Sequence, residues 1–135
     1  MTPASALLDR FLLSLCIWRE ARGESFHGKE LVAWTIVNRA TDQRHRWPAT
    51  ITGVVLQPMQ FSSFNPGDPN AVKFPSVVAM ASMAGWEDCV SIADRALVTT
   101  PLVAVNHYHV LGITPPWADP TKVVTTEGAH VFYEL

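Results

Sequence analysis

The chain has 135 residues, 48% of them hydrophobic, with a formal net charge of -2 and a pI near 6.2. That length predicts one domain, residues 1–135, with enough apolar content for a proper core. The charge provides no broad basic surface, which argues against a nucleic-acid partner.

Near the N-terminus, "FLLSLCIW" is an apolar run. A membrane span needs about 20 such residues. A secretory leader needs a basic start and a small-residue cleavage site, and neither is present. The run is therefore expected to be a buried helix, with no stable membrane insertion and synthesis in the cytoplasm without a signal peptide. Leu7, Leu8, Phe11, Leu12, Leu15 and Trp18 recur at spacings of three and four, which predicts a helix over 5–21 ending before Gly23. Cys16 falls on this helix and Cys89 on a later one. Without an export signal both are expected to be reduced core residues.

A second helix is expected over 28–40, where Leu31, Val32, Ala33, Trp34, Ile36 and Val37 leave almost no polar face. The basic run "RHRW" is expected in a solvated connection. Thr50 is placed to cap a short helix ending near Gln57, before Pro58. "QPMQFSSFNPGDPN" has no helical period and reads as a functional loop. Pro75 suits the start of a helix through Ala84, and Glu87 and Asp88 the first turn of another that stops before Pro101. Beyond it, "LVAVNHYHV" is rich in strand formers, and "KVVTTEGAHVFYEL" predicts two strands joined at Glu127-Gly128. The fold class is α+β, mainly helical, with a small C-terminal β-hairpin region.

Two constellations carry candidate chemistry. Glu20 ends the apolar helix beside Ile17 and Trp18, where loss of water favours the neutral carboxyl that a general acid needs. Four residues of continued helix would bring Glu24 onto its face as a carboxylate pair, although Gly23 argues that the helix stops first. The rival set is His107, His109 and His130, which with Glu20 offers donors for a zinc ion that activates water. No HExxH or CxxC spacing accompanies them. Trp47, Phe61, Phe64, Tyr108 and Trp117 stand in or beside loops, and such flat rings suit the apolar faces of sugars.

Taken together, "EARGE", "GKELVAWTIVNRA", "WPATITGVVLQPMQFS", "HYH...PPWA" and "GAHVFY" resemble, block by block and in the same order, the cell-wall hydrolase family of the spore-cortex-lytic enzyme SleB. The resemblance implies a lysozyme-like or lytic-transglycosylase-like domain that cleaves peptidoglycan between N-acetylmuramic acid and N-acetylglucosamine. It makes Glu20 the catalytic acid and sets Gln60, Phe61, Asn106 and Tyr108 along the cleft, where the loop aromatic Trp117 is expected as a further sugar contact. The family more often has Thr where Asn106 stands. Glu24 and His130 match family positions and are expected to hold the site together, with His107 and His109 as further supports. The resemblance implies no cofactor and no metal. The partner it implies is the bacterial wall, acted on by a monomer. The lack of a leader and of wall-binding repeats suits a phage endolysin set free by a holin. Asp42, Asp68 and Asp119 remain as water-activating bases for the alternative, a hydrolytic muramidase. A zinc-dependent wall amidase or peptidase is the other alternative.

Overall fold

In the computed structural model, residues 2–57, 61, 67–69 and 85–135 are described. The expected helix over 75–84 lies outside them, as do Gln60 and Phe64. Among the described residues four α-helices come first: α1 (Pro3–Ala21), α2 (Phe26–Ala40), α3 (Ile51–Leu56) and α4 (Trp86–Val98). Three strands follow, β1 (His107–Val110), β2 (Val123–Glu127) and β3 (His130–Tyr133).

Local chemistry sets the helix ends. The Thr2 hydroxyl accepts the Ser5 N–H at 3.1 Å to start α1, with Pro3 in the first turn. Ser25 caps α2 through the Gly28 N–H at 3.0 Å, and Thr50 caps α3 through the Gly53 N–H at 2.9 Å. Gly53 is required there: a Cβ would lie 2.8 Å from Pro48 Cβ and from the Thr50 oxygen. α4 carries Glu87 and Asp88 in its first turn, where the helix dipole favours negative charge.

α2 is the central helix. Leu31, Val32, Ala33 and Ile36 are wholly buried, and α1, α3 and α4 pack against it. Leu13, Cys16 and Ile17 meet it from α1, and Cys89 and Ala93 from α4. Full burial of a Leu or Ile side chain contributes about 1.5–3 kcal/mol, so these contacts dominate the helical half. Both cysteines are free, buried thiols. Burial pushes the Cys89 thiol up to about 12. Among the described residues, no helix is long and apolar enough to cross a membrane.

The apolar stripe of α1 departs from expectation. Leu12, Leu13, Leu15, Cys16 and Ile17 are buried, whereas Leu7, Leu8 and Phe11 are exposed. The helix therefore turns its buried face through the register of Leu13 and Ile17, and its first half meets the bundle through Asp9 and through Arg10, paired with Asp94 at 2.6 Å. Asp9 is the buried group of that first half; its carboxylate accepts the N–H and the hydroxyl of Thr52 at 3.1 and 2.6 Å, tying α1 to α3.

The sheet sets the expected strand at 107–110 beside the hairpin. β3 is the central strand, in the order β1-β3-β2, antiparallel to both neighbours. β2 and β3 join at the expected Glu127-Gly128 turn, and a bulge falls between Val123 and Thr125. β1 is shorter than the β-rich stretch suggested. Before it, carbonyls of Val103 and Val105 accept the Asn38 amide at 2.9 and 2.8 Å, so this segment hydrogen-bonds to α2 rather than to a strand.

Candidate active site

Glu20 lies on the last turn of α1, half-buried. Tyr108, from the middle of β1, donates its hydroxyl to Glu20 Oε1 at 2.6 Å. This is the short distance expected when the acceptor is a carboxylate. The Tyr108 ring is walled by His130 and Phe132, with centroids 5.1 and 5.4 Å away, and by Phe61 at 6.5 Å. Phe132 and Phe61 are buried in the core. Burial first, and then the nearby Glu20 carboxylate, hold the Tyr108 phenol well above its ordinary range, so it stays a neutral donor. Cys16, one turn before Glu20, is likewise raised by burial and by Glu20, which makes it an inert thiol.

Strand alternation decides the fate of the three histidines. Tyr108 pairs with Phe132, and Val110 with His130, so Tyr108, His130 and Phe132 share the face toward the helices. His107 pairs with Tyr133 and His109 with Val131, on the opposite face. A zinc site from His107, His109 and His130 would need side chains from both faces, and the geometry does not bring them together. Among the described residues, no group of His, Cys, Asp or Glu side chains is arranged to hold a metal ion.

Glu24 does not share a helix face with Glu20. α1 ends at Ala21, and the chain turns through an Ala21 carbonyl bond to the Glu24 N–H at 2.9 Å. The Glu24 carboxylate meets the β2–β3 turn instead: Oε1 accepts the Ala129 N–H at 2.8 Å. His130 Nδ1 stands 3.0 Å from the same oxygen, at ion-pair distance but out of line for a hydrogen bond. Gly128, at φ +55°, presses so closely on this carboxylate that a Cβ would meet Oε2 at 2.6 Å. Ser25 adds a bond to Glu127 at 2.9 Å. The hairpin is thus pinned to the α1–α2 junction.

The remaining expected residues divide. Phe61 joins the core beside Tyr108. Asn106 is buried, and its amide donates to the Leu135 carbonyl and accepts the Leu135 N–H, both at 2.9 Å. Its side chain thereby clamps the final residue instead of facing the Glu20–Tyr108 pair. Trp117 is exposed and contacts the rings of His107, His109 and Tyr133, at centroid distances of 4.9, 5.8 and 5.3 Å, on the sheet face away from Tyr108. His109 Nε2 reaches the Tyr133 hydroxyl at 2.7 Å. Of the aspartates, Asp42 is committed to Arg46, whose guanidinium holds it down to about 2. Asp119 caps the 120–122 turn through Thr121, and the charge of Asp68 is felt by Arg19. A cavity of about 440 Å³ lies between α2, α3 and α4, but neither Glu20 nor Tyr108 lines it.

One residue beside the pair escaped the sequence reading. Arg39, buried near the end of α2, donates Nε to the Asn106 carbonyl at 2.7 Å. Its guanidinium sits 5.2 Å from the Trp47 ring and 5.4 Å from Phe61. The available signal was a charged residue in the last turn of a largely apolar helix, because a buried charge must be paired.

With this geometry in view, comparison with known proteins is informative. The family model described as Cell Wall Hydrolase matches residues 23–133. The chain belongs to the cell wall hydrolase family. The match begins just after Glu20, so the case for that residue rests on its geometry. Among curated proteins, the chain is 25% identical over 130 residues to the spore cortex-lytic enzyme of Bacillus subtilis (strain 168), covering 93% of this chain and 37% of that protein. Among solved structures, it is similar to the catalytic domain of the germination-specific lytic transglycosylase SleB from Bacillus anthracis. There the TM-score is 0.69 at 23% identity, covering 93% of each chain. The catalytic domain of the Bacillus cereus SleB protein gives 0.67 at 21% identity, covering 93% of this chain and 88% of that one. The α+β fold of these cell wall hydrolase relatives is therefore that of the present chain.

Proposed function

We propose that this chain cleaves the glycan strands of peptidoglycan between N-acetylmuramic acid and N-acetylglucosamine as a lytic transglycosylase, with Glu20 as acid and then base. The observation that carries the reading is the Tyr108 hydroxyl bonded to Glu20 Oε1 at 2.6 Å, at the end of a packed helix. Membership of the cell wall hydrolase family and similarity to the lytic transglycosylase of Bacillus anthracis support the substrate.

In this mechanism the Glu20 carboxyl gives its proton to the glycosidic oxygen as the C1–O bond breaks, and positive charge develops at C1 of the muramic sugar. The C6 hydroxyl of that sugar then closes onto C1 and returns its proton to the Glu20 carboxylate, which restores the acid and leaves a 1,6-anhydro end. Intramolecular attack exploits the high effective concentration of a held nucleophile. Tyr108 keeps one oxygen of Glu20 fixed, so the other carries the proton in both directions. As Glu20 ionises, that hydrogen bond becomes charge-assisted and stabilises the carboxylate. Phe61 would serve as a wall of the Tyr108 pocket, Glu24 and His130 as its outer braces, and Asn106 as a clamp on the chain end. A hydrolytic route needs a second base, and Asp42 and Asp119 are both engaged elsewhere.

The test is digestion of purified peptidoglycan by wild type and Glu20→Gln, with mass spectrometry of the fragments and an EDTA control. Anhydro-muramic ends from wild type, absent with Glu20→Gln and unchanged by EDTA, are the expected result. Reducing muramic ends would replace the lytic route with hydrolysis. Activity that survives Glu20→Gln would remove Glu20 from the reaction.

A further inference from the structure

Resting on the proposed role of Glu20 and Tyr108, we infer that Arg39 is a positioning residue for this acid pair: a buried cation that fixes β1 and polarises the Tyr108 hydroxyl toward Glu20. Three observations converge on it. Arg39 Nε binds the carbonyl of Asn106, two residues before Tyr108, at 2.7 Å, and so sets the depth at which the strand enters the sheet. Its guanidinium lies against the face of Phe61, 5.4 Å from the ring centroid, and Phe61 is itself a wall of the Tyr108 ring. Trp47 packs on it as well, 5.2 Å away, and bears in turn on His107, the residue next to Tyr108, with centroids 5.5 Å apart.

A buried charge is costly to keep and exerts a long reach, because little water screens it. Burial and then Glu20 hold the Tyr108 phenol well above its ordinary range, and the positive charge of Arg39 works against them in the smaller measure. A hydroxyl polarised in that sense donates more strongly, and its acceptor is Glu20 Oε1. The bond gains most once Glu20 has released its proton. Arg39 therefore acts on the step that leaves a carboxylate behind, through Tyr108, without touching sugar.

Asn38 separates this role from simple scaffolding. It anchors the same segment through the Val103 and Val105 carbonyls, and it carries no charge.

A double-mutant cycle on peptidoglycan cleavage tests the inference, with Arg39→Met, Tyr108→Phe, the double variant, and Asn38→Ala as the scaffold control. Arg39→Met is expected to lower kcat roughly tenfold, as for loss of a hydrogen bond strengthened by charge, with KM within about twofold. In the Tyr108→Phe background the same change should cost less than about twofold, because its effector is already gone. Asn38→Ala should lower Tm and combine additively with Tyr108→Phe. Should Arg39→Met fail to fold, Arg39→Gln, which keeps a donor for the Asn106 carbonyl but not the charge, enters the same cycle with the same expected non-additivity. Equal losses in both backgrounds, or an Arg39 loss no greater than that of Asn38→Ala at matched Tm, would overturn the role. Glu20→Gln run alongside separates the two readings. An inactive Glu20→Gln with an additive cycle removes Arg39 alone, whereas an active one removes the acid assignment and the Arg39 role together.

Discussion

The two faces of the three-stranded sheet carry nearly the same kinds of residue and put them to different ends. The face toward the helices holds Tyr108, His130 and Phe132, and the other holds His107, His109 and Tyr133 with Trp117 laid over them. On the inner face the polar atoms point at carboxylates, Tyr108 at Glu20 and His130 toward Glu24. On the outer face they close on each other and on backbone: His109 bonds Tyr133 and the Val110 carbonyl, and His107 bonds the Asn106 side chain. Residue type does not mark a site. Chemistry is assigned to the inner face because its hydroxyl meets an acid that the helical core holds in place.

Changes on each face should break this contrast to different depths. Phe132→Ala should cost about 3–5 kcal/mol, the usual result of emptying a wholly buried aromatic position, read by denaturant unfolding. Tyr108→Phe keeps the ring and deletes the hydroxyl, and should lower kcat about 10- to 100-fold with little change in unfolding midpoint. An equal loss of activity in Tyr133→Phe would erase the distinction between the faces. Gly128→Ala, which sets a methyl against the Glu24 carboxylate at a positive φ, should destabilise by about 2 kcal/mol, and relief of that loss in Glu24→Ala would identify the contact responsible. On the outer face, Tyr133→Phe removes the partner of His109 and should cost about 1 kcal/mol without affecting cleavage.

A further effect concerns acid. Burial, and then the charges of Arg39 and Arg46, depress His107 to about 4. Between its ordinary value near 6.5 and that point, the unfolded chain binds a proton that the folded chain refuses, so stability falls as pH is lowered across the window and levels off below it. Urea midpoints for wild type and His107→Phe, measured from pH 7 to pH 4, should converge in the variant's favour. Parallel curves would show that His107 is as accessible to protons as a solvated histidine.

Much of the helical half was legible in the sequence, since caps and stops are local: Thr50 before a short helix and Gly23 after a long one need no distant partner. The exposure of Leu7, Leu8 and Phe11 was not, because spacing shows that a stripe exists without showing how far the bundle covers it. The sheet was half legible. The Glu127-Gly128 turn declared itself, while the pairing of β1 with β3 spans a connection that no periodicity records. For the site, Glu20 and Tyr108 stand 88 residues apart, and nothing in either neighbourhood calls for the other. The ordered family blocks brought them together on paper. Those blocks could not show that Trp117 sits across the sheet, or that Asn106 binds Leu135, since a motif preserves order along the chain and not the side of a strand. Arg39 falls within the second of those blocks, yet its burial emerges only when β1 closes over α2.

The contacts that complete the site share one property. Glu20 to Tyr108, Glu24 to Ala129 and Ser25 to Glu127 join residues 88, 105 and 102 positions apart. Each such closure carries the entropy loss of a long loop before any contact repays it. Helix formation, being local, can run ahead, while Glu20 acquires its partner only when β1 packs against α1. A chain in which the helices alone have formed therefore lacks the Glu20–Tyr108 bond on which the proposed chemistry depends.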